Sequence, residues 1–201
     1  MKRNILYLHG FQSSKQSNTI KYFEQNLKNH NVYSLDLPHK PEEAIKLIGK
    51  TIKELEIDIL IGTSLGGLYA YNFDIPKICI NPGFEFNIKA GTYPYFNERE
   101  DGEVQFDIEQ SDVDYLTDLV NSYKTREPFH ELYHMSFILI GKQDTYITYD
   151  HLNEFINEYD EIVYADFEHR LPKDIAYDYV FPMIDVLSKS INTLMNSDIL
   201  E

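Results

Sequence analysis

The run IDILIGTS, residues 57–64, has almost no polar interruption and leads into a glycine-rich turn. A strand of this length without polar alternation belongs inside a sheet that is covered on both faces. Such sheets are built from parallel strands, and each parallel neighbour needs a crossover, usually a helix. The rest of the chain supplies both parts. NILYLHG, NVYSLDLP, KICINP, SFILIG and EIVYAD read as further strands. Between them lie segments of helical period. Residues 17–29 place Ile20, Phe23 and Leu27 on one face behind a Ser17 cap. PEEAIKLIGKTIKELE opens with Pro41 and two acids, favourable in a first turn, and aligns Ile45, Ile48, Ile52 and Leu55. Further helices are expected from about Leu65 to Phe73, near 149–159, and from about 174 to 195. The alternation predicts an α/β class: one domain over residues 1–201, a mainly parallel sheet with helices on both faces.

Residues 84–131 break this rhythm. They hold twelve acids against four bases, with many aromatics, and only VDYLTDLV has a clean helical period. A segment this long inside a compact domain reads as a cap or lid over a site at the sheet edge. The whole chain carries a formal charge of −15. That balance argues against a nucleic-acid backbone or an anionic membrane surface as partner, since both need clustered Lys and Arg. The 16 tyrosines do not change this, because no basic residues surround them. The single cysteine, Cys79, lies in an apolar run and reads as a small buried hydrophobe. The apolar run after Lys2 and Arg3 ends at His9 and Gly10, too short for a signal peptide or a membrane span. A cytoplasmic location is the expectation.

Four features carry chemistry. GTSLGG sets Gly62-x-Ser64-x-Gly66 between a buried strand and a helix. This is the pattern of a nucleophile elbow, in which a sharp turn lifts a serine hydroxyl above the sheet and glycines permit close backbone approach. LYLHGF ends a strand in His9, Gly10 and Phe11. In serine hydrolases of this kind the N–H after such a strand and the N–H following the nucleophile hold the oxyanion, here Phe11 and Leu65. His9 reads as a brace for the loop. Asp144 lies just beyond SFILIG, and His169 just beyond EIVYAD. A serine becomes a nucleophile when a histidine takes its proton, and that imidazole needs a carboxylate to fix its tautomer. Loops after parallel strands deliver all three groups to the carboxyl edge, in the order Ser, Asp, His. Glu85, after the strand that follows the elbow helix, is a rival for the acid, and Asp150 a weaker one.

LYLHGFQSSKQS, GTSLGGLYA, INPGF, GKQDTYITYD and the later EH resemble the small YqiA-type esterases of the α/β-hydrolase superfamily. The resemblance spans nearly the whole chain and is weakest over 84–131. It implies an α/β-hydrolase fold and carboxylesterase or thioesterase activity on a small acyl ester or thioester, without a cofactor. It carries over to Ser64, Asp144 and His169, with Phe11 and Leu65 as oxyanion donors. Glu168 and Arg170 flank the histidine where the resemblance leads one to expect a small or glycine-rich approach. A non-catalytic scaffold binding a small molecule or protein through the acidic aromatic segment is the alternative.

A third reading comes from His130, Glu131 and His134, which form H-E-x-x-H. On a helix this pattern grips zinc, with the Glu as general base. Pro128 and the strand SFILIG leave room for little more than one helical turn, and only His151, Glu154 or Glu158 offers a third ligand. No metal is therefore expected.

Overall fold

Within each central strand, alternate residues join opposite hydrophobic cores, the pattern a doubly covered sheet demands. The computed structural model describes residues 2–95, 104–125 and 135–197. The strands are β1 (Asn4–Leu8), β2 (Asn31–Ser34), β3 (Ile59–Thr63), β4 (Lys77–Ile80), β5 (Gly91–Tyr95), β6 (Val104–Ile108), β7 (Ser136–Gly141) and β8 (Asp160–Ala165). The helices are α1 (Asn18–Asn26), α2 (Pro41–Glu54), α3 (Leu65–Tyr71), α4 (Gln110–Tyr123), α5 (Lys173–Ile175) and α6 (Phe181–Ser197).

Six strands form one parallel sheet in the order β2-β1-β3-β4-β7-β8. Ile5, Tyr7, Ile59, Ile61, Ile78, Ile80, Phe137 and Leu139 face the core under α1 and α6. Their neighbours Leu6, Leu8, Leu60, Cys79, Ile138 and Ile140 face the other core, under α2, α3 and α4. The sequence order reverses direction between β1 and β3, which opens a crevice at their carboxyl ends. Among the described residues, no helix is long and apolar enough to cross a membrane.

Several element boundaries differ from expectation, each for a physical reason. The helix expected near 149–159 is a single 3₁₀ turn, Leu152–Glu154. Leu152 and Phe155 are buried at helical spacing, which mimics the pattern of a longer helix. The backbone N–H groups of Asn157 and Tyr159 instead donate to the side chains of Asp160 and Asn157, and these local bonds end the turn. The final helical rod runs from Lys173 to Ser197 and contains a π turn at Ala176–Val180.

The segment from 84 holds two unlike pieces. Its α4 is longer than VDYLTDLV and packs as an ordinary layer helix, burying Leu116, Val120 and Tyr123, with the Tyr123 hydroxyl donating to the Leu68 carbonyl at 3.1 Å. The antiparallel pair β5–β6 has no counterpart in the sequence reading. Gly91 and Pro94 disguise β5, since both are depleted in strands. His130, Glu131 and His134 lie outside the described residues.

Candidate functional site

The carboxyl ends of β1, β3, β7 and β8 converge, and the elbow after β3 stands at their centre. Ser64 has φ 53° and ψ −119°, a left-handed conformation costly for any side-chain-bearing residue. Three backbone bonds hold it there: Ser64 N–H to the Ile80 carbonyl, and Gly83 N–H and Leu68 N–H to the Ser64 carbonyl. The turn is tight enough to require its glycines. A Cβ on Gly62 would lie 2.1 Å from the Gly66 carbonyl oxygen, and one on Gly66 would lie 2.2 Å from that of Leu8. Gly10 also approaches the elbow, its Cβ position being 3.1 Å from that of Ser64.

The structure brings together the three residues singled out by sequence. The His169 ring stands with Nε2 3.1 Å from Ser64 Oγ and Nδ1 2.7 Å from Asp144 Oδ2. With Nδ1–H donating to the carboxylate, Nε2 is left as the acceptor facing the Ser64 hydroxyl. Asp144 is fully buried at its side chain, while His169 keeps 20% exposure towards the cleft. The carboxylate is held by more than the imidazole: Tyr146 N–H and Ile147 N–H donate to Oδ1 at 2.8 and 3.2 Å. The Tyr149 hydroxyl reaches Oδ2 at 3.5 Å. Burial, reinforced by the adjacent Asp144 carboxylate, pushes the Tyr149 phenol far above its ordinary pKa, so it remains a donor.

Glu85 occupies a different place. Its carboxylate accepts from Thr148 Oγ1 at 2.8 Å and from His151 N–H at 3.0 Å, and so ties down the loop that carries Asp144. Cys79 is buried, and that burial pushes its thiol up to about 12, which leaves it without thiolate character.

Sequence reasoning missed Asn81. It sits just after β4 at φ 43°, fully buried. Its Nδ2 donates to the carbonyls of Glu168 and His169 at 3.0 and 3.1 Å, and its Oδ1 accepts from Gly141 N–H at 2.7 Å. One amide thus fastens the histidine loop to the end of β7. The readable signal was an Asn-Pro pair directly after a buried strand, where Asn tolerates a left-handed turn. Asn81→Ala strands one buried N–H and two carbonyls, and should destabilise the fold by about 3 kcal/mol or more. A shift of the urea midpoint measures this.

His9 braces the first loop. Nε2 accepts from Leu37 N–H at 3.2 Å, and Nδ1 donates to the Gly10 carbonyl at 2.9 Å, which ties the loop after β1 to the loop after β2. Burial lowers the His9 pKa, against the opposing pull of the Gly10 carbonyl. In the unfolded chain the ring takes a proton near pH 6.5, but in the folded chain only at lower pH. The unfolded state therefore binds more protons in that window. Stability is unaffected by His9 above about pH 6.5 and falls as pH drops through the window below it. Burial lowers His30 and His39 in the same direction. Urea titrations from pH 8 to 5 should show this loss, with a shallower slope in His9→Asn.

Two clefts open beside Ser64. One, of about 630 Å³, is lined by Tyr7, Phe11 and Leu171 together with the hydroxyls and amides of Ser13, Ser14, Ser17, Asn18, Thr19 and Thr63. The other, of about 600 Å³, is walled by Phe11, Leu65, Phe86, Ile88, Tyr93 and Ile147 together with the polar Gln12, Asn87 and Thr145. Tyr93 and Phe106, from the β5–β6 pair, pack edge-on against Phe11 at 5.0 and 5.4 Å between ring centres. Tyr146, largely exposed, lies 5.1 Å from the His169 ring centre.

Residues 4–186 match the uncharacterised protein family UPF0227. The chain belongs to this family, that of the YqiA-type esterases. No curated protein matches it. Among solved structures it is similar to a monoacylglycerol lipase from Paleococcus ferrophilus, at 16% identity and a TM-score of 0.68, covering 92% of this chain and 94% of the other. It is also similar to the mouse alpha/beta hydrolase domain-containing protein 10, at 14% identity and a TM-score of 0.69 over 94% and 92%. Est1E from Butyrivibrio proteoclasticus is a third, at 13% identity and 0.65 over 95% and 89%. These likenesses establish the α/β-hydrolase fold for this UPF0227 chain.

Proposed function

We propose that the protein is a serine hydrolase that cleaves a small carboxylic ester or thioester through an acyl-enzyme. The observation that carries this reading is the buried-to-exposed relay of Asp144, His169 and Ser64, with a hydroxyl on a strained elbow at its open end. Ser64 Oγ attacks the acyl carbon as His169 Nε2 takes its proton, and Asp144 stabilises the imidazolium. The tetrahedral oxyanion is held by the N–H groups of Phe11 and Leu65, each worth about 3 kcal/mol in comparable sites. Leu65 is the first residue of α3, so its N–H has no acceptor within the helix. Collapse expels the alkoxide or thiolate, which takes the proton from His169. Water, deprotonated by His169, then attacks the acyl carbon and frees the acid and Ser64.

The two clefts beside Ser64 are of similar size and each has both apolar and polar wall, which gives room for an acyl group and a leaving group on either side of the nucleophile. The β5–β6 pair, set against Phe11, would act as the cap. A cytoplasmic enzyme without cofactor is the simplest setting for this chemistry. Treatment with a fluorophosphonate tests the reading against a purely binding scaffold. Stoichiometric phosphonylation of Ser64 is the expected result, and an unlabelled protein overturns it.

A further inference from the structure

Arg170 directly follows His169 and belongs to the walls of both clefts. Among the described residues it is the only charged side chain in either wall. The protein carries 33 acids against 18 Lys and Arg, so walls assembled without regard to charge would include several carboxylates. The described walls include none. Arg170 is also exposed and unengaged: among the described residues it makes no ion pair and no hydrogen bond. Arg3, Lys15 and Lys124, by contrast, are paired with Asp58, Asp36 and Glu154.

A guanidinium offers a planar fork of donors that matches the two oxygens of a carboxylate or phosphate. The overall negative field repels anions at long range, but it is screened within about 8 Å at physiological salt. Among the described residues, Arg170 is then the charged wall residue that an anion in either cleft meets. The leaving group takes its proton from His169, so it departs on the side of the residue that follows, Arg170. We infer that Arg170 is a specificity-determining residue that binds a carboxylate or phosphate on the leaving-group side, so that the preferred substrates are anionic esters. This rests on the serine-hydrolase reading of the same site.

Matched esters test it. 4-Butanoyloxybenzoate and 4-butanoyloxyphenyl phosphate are each compared with their neutral methylated counterparts, in wild type, Arg170→Gln and Arg170→Lys. The readout is the anionic-to-neutral ratio of kcat/KM within each protein, so any general loss in a variant cancels. Wild type should favour at least one anionic ester by about ten-fold, a charge-assisted bond discounted for exposure. The ratio should fall to about one in Arg170→Gln, survive in part in Arg170→Lys, and shrink with added salt. The arm with the larger ratio separates carboxylate from phosphate. Turnover that depends on Ser64 but shows the same ratio in wild type and Arg170→Gln overturns the inference alone. No Ser64-dependent turnover of any ester overturns the hydrolase reading and this inference with it.

Discussion

Ser64→Ala is expected to lower kcat for ester hydrolysis on the order of 10⁶-fold, the loss seen when a serine nucleophile acting with its histidine is removed. The substitution deletes one hydroxyl that, among the described residues, makes a single hydrogen bond, to His169 Nε2 at 3.1 Å. The elbow itself is held by backbone bonds from Ser64 N–H, Gly83 N–H and Leu68 N–H, none of which involves Oγ. Alanine tolerates φ 53° about as poorly as serine, so the strain is retained rather than increased. The urea midpoint should therefore barely move while turnover collapses. A parallel loss of stability would mean that the hydroxyl serves the fold. What activity remains should come from substrate binding and the oxyanion donors alone.

Asp144→Asn should lower kcat by about 10⁴-fold through the tautomer of its neighbour. Oδ1 of Asp144 already accepts from the N–H groups of Tyr146 and Ile147. The asparagine carbonyl must keep those bonds, which turns its NH₂ towards His169 Nδ1. Nδ1 then becomes the acceptor, the ring proton moves to Nε2, and the nitrogen facing Ser64 can no longer take a proton. The Tyr149 hydroxyl also loses the oxygen it reaches. Kinetics on the ester panel and nitrogen-15 shifts of the His169 ring check both halves of this prediction. A protein that kept Nδ1 protonated and kept most of its turnover would count against the assigned relay.

The sheet could be read from the sequence because its signal is local. Ile59, Leu60 and Ile61, or Phe137, Ile138 and Leu139, are apolar at every position, and only a strand covered on both faces accepts that. The site residues were legible for a related reason. Ser64, Asp144 and His169 each lie within four residues of the end of a strand, and parallel order delivers those ends to one edge. What escaped depends on side chains distant in sequence. Asn81 joins β4 to residues 141, 168 and 169, and no local pattern announces such a link. Tyr149 looks like one more tyrosine until the loop folds back on Asp144. Glu85 had the position expected of a triad acid, yet Thr148 and His151 claim its carboxylate. The 3₁₀ turn at Leu152–Glu154 was overread as a helix because burial at i and i+3 looks the same in both. Residues 130–134, with their metal-like spacing, lie outside the described residues.

Rapid quenching of the protein with a chromogenic butanoyl ester, followed by peptide mass analysis, tests the central claim most directly. The account predicts a transient butanoyl increment on the peptide that contains Ser64, formed within a single turnover and absent from Ser64→Ala. Turnover without any acylated peptide, or with the acyl group on another residue, would contradict it.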